Sequence, residues 1–174
     1  MGMLVTNTAT TLSKQTDARV VRNPTMVTNA FTLTEESKAA ETLKLKDPEK
    51  INDLKIFLKS YDLTSISTNE LKEVGSKLYD SGLIDDNTFM MFISGDGASD
   101  ANGRQTKMDV KFNAIALFNE KLEDNMAYFK TDRYSKPEHI AYITHRMVSA
   151  NQAINALAYL GSSTASTLSI DDHA

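Results

Sequence analysis

Four oxygen-bearing side chains, Asp96, Asp100, Asn102 and Asp109, stand in and just after the glycine-rich stretch SGDGASDANGRQ, which runs from Ser94 to Gln105. Carboxylates and amides spaced around a glycine are the pattern of a calcium loop of the EF-hand type. Such a loop needs oxygens at positions 1, 3 and 5, glycine at 6 and a carboxylate at 12. With Gly103 at the sixth position, Asp100, Asn102 and Asp109 fall on ligand positions, but Ala98 takes the place of the leading carboxylate. Starting from Asp96 restores that ligand and puts Ala98, Ala101 and Lys107 where an oxygen, the glycine and the last carboxylate belong. Neither register is complete. A calcium-responsive helix–loop–helix built on residues 94–109 is therefore the alternative expectation. The plainer one is a solvated turn with Asp109 near the positive end of a following helix.

Other chemistry is poorly supplied. Gly97 and Gly103 are separated by five residues and followed by Arg104-Gln105, whereas a Walker loop needs four residues and then Lys with Ser or Thr. His139 and His145 are six apart on one predicted helix and do not converge as an i,i+4 pair would. A carboxylate-bridged di-iron bundle needs Glu-x-x-His pairs, but Glu120, Glu123 and Glu138 are followed three later by Glu123, Met126 and Ala141. No nucleophile-elbow pattern is present. The neighbours Asp85–Asp86 and Asp171–Asp172 have diverging side chains and read as a cap and a tail. With no Cys, a thiolate zinc site, a disulfide framework and a Cys nucleophile are all excluded. These residues read as a non-enzymatic chain without a cofactor.

The elements that would position any site are helical. Asp47-Pro48 reads as a cap and first helical residue, and Ser67-Thr68-Asn69-Glu70 as a capping box. Gly82 followed by Leu83 fits a Schellman stop, and Asp85 caps the next helix. These signals predict short helices over 48–59, 68–81 and 86–94. A long helix is expected over 106–130, striped by Met108, Phe112, Ile115, Leu122, Met126 and Phe129. A second capping box, Ser135 with Glu138, opens the last helix. Its seam, Ile140, Ile143, Met147, Ala150, Ile154 and Leu157, alternates spacings of three and four up to Gly161, the expected stop. A short connection makes these two helices an antiparallel hairpin.

Residues 1–34 hold nine Thr and a single acid, Asp17, against Lys14, Arg19 and Arg22, with no sustained apolar period. The expected organisation is a flexible Thr-rich arm over 1–46, one helical domain over 47–161 and a flexible tail over 162–174. The fold class is all-α, a small bundle of three short helices on a long hairpin. The net charge of −4 over 174 residues argues against nucleic acid as a partner. No apolar run reaches the roughly 18 residues of a membrane span. Met1-Gly2 with Thr6 meets a loose acylation pattern, with nothing polybasic after it.

The function expected is that of an adaptor or regulator that binds another protein. Tyr142, Tyr159 and Leu160 fall outside the seam. They either meet the shorter helices or form an exposed apolar strip that would mark the partner site. The seam could also pair two copies into a homodimer through the last two helices. A cytoplasmic location follows from the missing signal peptide. An acid-poor, Thr/Ser/Asn-rich start in a Cys-free chain also resembles bacterial substrates of needle-type or flagellar export, which would imply export without a cleaved signal.

Overall fold

Local codes start and stop most of the helices. In the computed structural model, which describes residues 15–167, the Asp47 side chain accepts from Glu49 N–H and α2 runs Pro48–Leu58. Ser67 and Glu70 close the capping box at the head of α3, Thr68–Asp80. Leu83 N–H then donates to Leu78 O and Gly82 N–H to Tyr79 O, the two bonds of a Schellman stop, with Gly82 at φ 68°. Asp85 accepts from Thr88 N–H to cap α4, Asp86–Ser94. This helix–turn–helix corner forms as its residues direct.

The remaining elements are α1, Glu36–Thr42; the short strands β1, Ile66–Ser67, and β2, Lys111–Phe112; α5, Ala114–Thr131; and α6, Pro137–Thr167. The class is all-α, with one antiparallel pair, Ile66 opposite Phe112 and Ser67 opposite Lys111. The α5–α6 hairpin is antiparallel: Asn151 meets Phe118 near its root, and His139 meets Phe129 near its tip. Against it lie α1, α2 and α4, with α3 behind α4. The core gathers Phe92, Phe118, Leu71, Leu78, Ile154, Leu157 and Leu160.

Four boundaries differ from the sequence reading. The long helix starts at Ala114, not near 106, because residues 111–112 pair with β1 and Asn113 caps the helix by accepting from Ala116 N–H. Gly161 does not stop α6, which continues to Thr167; it sits under α2, where a Cβ would lie 3.7 Å from that of Leu58. Glycine ends a helix only where the chain turns left-handed, and here packing holds it helical. At the head of α6 the first bond runs from Ile140 N–H to Lys136 O, so the cap lies at Lys136. Ser135 N–H instead donates to Asp132.

The fourth correction is the largest. The arm expected over 1–46 is part of the folded unit from residue 15 onward. Ala39, Ala40, Leu43 and Leu45 belong to the core. Upstream of them, residues 16–26 lie as a strap. Thr16 forms a β-bridge with Ser99, and Arg19 N–H donates to Asp96 O. The buried Glu120 carboxylate accepts from Arg22 N–H at 2.9 Å and Asn23 N–H at 2.8 Å. Asn113 Nδ2 donates to Pro24 O and Met26 O. Asp124 pairs with Arg22 and Arg19, which hold its carboxyl below the ordinary range. An aperiodic, polar strap has no stripe to announce it, because its anchors are backbone groups and charges about a hundred residues away. Met1–Thr6 and Asp171–Asp172 lie outside the described residues.

Two substitutions test this packing. A Cβ at Gly75 would stand 2.6 Å from Phe92 Cβ, so the overpacking cost of typically 1–3 kcal/mol competes with about 1 kcal/mol of helix propensity gained. Gly75→Ala is expected to lower stability by up to about 2 kcal/mol in urea unfolding. Glu120→Gln keeps the volume but turns an amide NH2 toward one of two backbone donors. It should cost about 2–4 kcal/mol and expose the Arg22 and Asn23 amides to faster hydrogen exchange.

Candidate functional site

Burial along the hairpin is uneven. Leu122 is the last buried residue of α5 and Ala150 the first of α6, and no side chain between Glu123 and Ser149 is buried. At the root, Asn151 Nδ2 crosses from α6 to Phe118 O at 2.9 Å, and Phe118 packs edge-on against Phe92 with centroids 5.3 Å apart. Toward the tip the apolar positions run out. Tyr134, in the turn, is 94% exposed and Tyr128 59%, with Met126 and Tyr142 about half exposed. The structure gathers these around one end of the molecule.

Between the two helices at this end lies a groove of about 320 Å³. Its lining comes from Asn125, Tyr128 and Phe129 on α5, His139, Ile143, Arg146 and Met147 on α6, Ser135 in the turn and Met91 on α4. The α6 residues recur at spacings of four, three and one, so one helical face supplies them. Phe129 stacks edge-on with His139, centroids 6.4 Å apart. No Asp or Glu lines the groove. Arg146 Nε is shielded from solvent and has no acceptor among the described residues. A buried donor left in that state costs roughly 1–3 kcal/mol, and more when charged.

The positive charge around Arg146 is reinforced from behind. Half-buried Lys121 donates to Gly95 O at 2.7 Å, and its ammonium is pushed down to about 8, first by burial and then by Arg19, with Arg146 adding to the effect and buried Asp96 opposing it. Asp124 is already taken by Arg22 and Arg19. Lys121 has the Gly95 carbonyl as its acceptor, whereas Arg146 Nε has none among the described residues.

The residues singled out from sequence fall elsewhere or apart. Leu160 is fully buried in the core and Tyr159 is half-buried against it, so neither offers a docking strip. Both sit on the part of α6 that meets α1 and α2. Tyr142 is half exposed and its hydroxyl donates to Asn87 on α4 at 2.6 Å. Of the calcium candidates, buried Asp96 accepts from Ala98 N–H, Asp100 accepts from Asn102 N–H and Arg104 N–H, and Asp109 accepts from Asn69 Nδ2 across at α3. The carboxylates of Asp96, Asp100 and Asp109 do not come together. Among the described residues no three His, Asp or Glu side chains are grouped to hold a metal. No helix is long and apolar enough to cross a membrane among those residues.

A second, larger cleft of about 450 Å³ lies between the α1–α2 connection and the end of α3. It carries Lys44, Lys46, Lys50 and Lys77 beside Asp47 and Asp53. Flexible ammonium groups of both-sign surroundings stay hydrated there, whereas the Arg146 groove holds its cation against apolar walls. Sequence reasoning passed over Tyr128, Tyr134 and Arg146. The readable signal was a cation inside an apolar stripe, Arg146 between Ile143 and Met147, together with a tyrosine in a polar turn.

The depressed Lys121 ammonium makes stability pH-dependent with a definite sign. Below about pH 8 the folded and unfolded chains both carry the charge, and the burial penalty is felt in full. As pH rises toward the ordinary value of 10.5, the folded state sheds its proton first and stability rises, by up to about 1.4 kcal/mol per pH unit. Tyr61, pushed up to about 12 mainly by burial, works in the opposite sense above its ordinary 10.0. Between about pH 8 and 10, Lys121→Met is expected to flatten the rise, read as the slope of unfolding free energy against pH. Compared with known proteins, the chain finds no counterpart: no family model, curated protein or solved structure matches it.

Proposed function

We propose that this chain is a non-enzymatic protein-interaction module, an adaptor or regulator, that docks its partner on the exposed end of the α5–α6 hairpin. The observation that supports this reading is the concentration of Tyr128, Tyr134, Met126 and Tyr142 where no side chain is buried. Tyr, Met and Arg are enriched at protein interfaces, where each offers a large contact area. A small domain gains nothing in folding from placing four large apolar groups in water at one place.

The partner is a different protein rather than a second copy. A homodimer through the last two helices would need the α6 seam, but Ala150, Ile154 and Leu157 are already spent on the core of their own chain. The tip keeps Tyr128, Tyr134, Met126 and Tyr142 open on the same hairpin.

A photo-crosslinking amino acid in place of Tyr134, with the same residue in place of exposed Ile56 on α2 as control, tests the proposal in the native host. A light-dependent adduct is expected from the tip position and not from the control. Adducts of equal yield from both positions, or from neither, would count against a docking face here. An adduct of twice the chain mass would replace the foreign partner by a second copy.

A further inference from the structure

We propose that the groove beside Arg146 receives a segment of the partner in which an Asp or Glu stands next to a bulky apolar residue, the carboxylate meeting the guanidinium and the apolar side chain entering between Phe129, Ile143 and Met147. The inference rests on the protein-binding reading above and names the partner's chemistry.

Three features of the groove select that ligand. Arg146 lines the groove, and its guanidinium has neither an ion-pair partner nor an acceptor for Nε among the described residues. Its walls carry His139 and Arg146 but no acid, and Lys121 stands close enough behind for its charge and that of Arg146 to be felt by each other. An incoming anion therefore meets positive potential without an internal competitor. A carboxylate suits a lone guanidinium because its two oxygens match the planar fork, whereas a phosphate is ordinarily held by several cations or a row of backbone N–H groups. The volume decides the rest. About 320 Å³ is at the low end for small-molecule sites, which run roughly 300–1,000 Å³. It accommodates one or two side chains from a segment laid along the open hairpin. Tyr128, half exposed on the groove's α5 wall, stands where that segment would continue.

Panning a random peptide library on the full-length chain at physiological salt provides the test. The recovered peptides are expected to share an acidic residue adjacent to Phe, Tyr, Leu, Ile or Met. Their Kd, read by fluorescence anisotropy, should rise about tenfold or more on Arg146→Gln and recover in part with Arg146→Lys. Changing the peptide's own acid to its amide should give the same loss, and the two losses should not add, as expected of groups in direct contact. Should Arg146→Gln fail to fold, the peptide amide against the unaltered chain still reads the carboxylate. Failure to recover any peptide, peptides without an acid, or binding indifferent to both changes would overturn the assignment. If crosslinks from Tyr134 still form with a partner insensitive to Arg146, the docking face stands and only this groove assignment falls.

Discussion

A single buried carboxylate seats the strap of residues 16–26. Glu120 sits on α5 with its side chain almost wholly removed from water, and an ion there is tolerated only if its oxygens are satisfied. They are satisfied by the backbone N–H groups of Arg22 and Asn23. A polar strap with no apolar face of its own is thereby seated along a helix. Asn113 adds two further ties and caps α5 with the same amide group. Once the strap is fixed, the chain can return through α1, whose Ala39 and Ala40 close over α6.

That clamp divides the hairpin into two regimes. Its root is held by the strap, by Asn151 reaching Phe118 and by edge-on aromatic packing. Its far end has surrendered burial and carries tyrosines and a guanidinium instead. Stability and the proposed docking surface thus occupy opposite ends of the same pair of helices, so changes at the tip need not disturb the core. Charge follows the same division. Arg19 and Arg22 are paired with Asp124 near the strap, while Arg146 lines the groove with no ion pair among the described residues.

How much of this the residues announce depends on the range of the interaction. Caps and stops lie within one turn, so Asp47-Pro48, Ser67 with Glu70, Leu78-to-Leu83 and Asp85 could be read directly, and with them the all-α class. The strap could not, since Arg22 and its acceptor are 98 positions apart and neither lies in a periodic pattern. Seven-residue α1 is too brief to show a stripe. The β1–β2 pairing displaces the start of α5 although Phe112 sits in register with the helical stripe, because periodicity cannot see a strand partner 46 positions upstream. At the candidate site, exposure reverses the simple rule that apolar residues outside a seam form the surface: Leu160 turned inward against a second helix layer, and Tyr134 outward from a turn.

The separation between the strap and its anchor has a consequence for synthesis. A ribosome adds roughly 5–20 residues per second, so the peptide groups of Arg22 and Asn23 are made roughly 5–20 seconds before Glu120 exists to receive them. For that interval the strap is a hydrated, Thr-bearing thread with nothing to fold upon, while the α3–α4 corner can already form behind it. A strap made early thus waits for a helix made late.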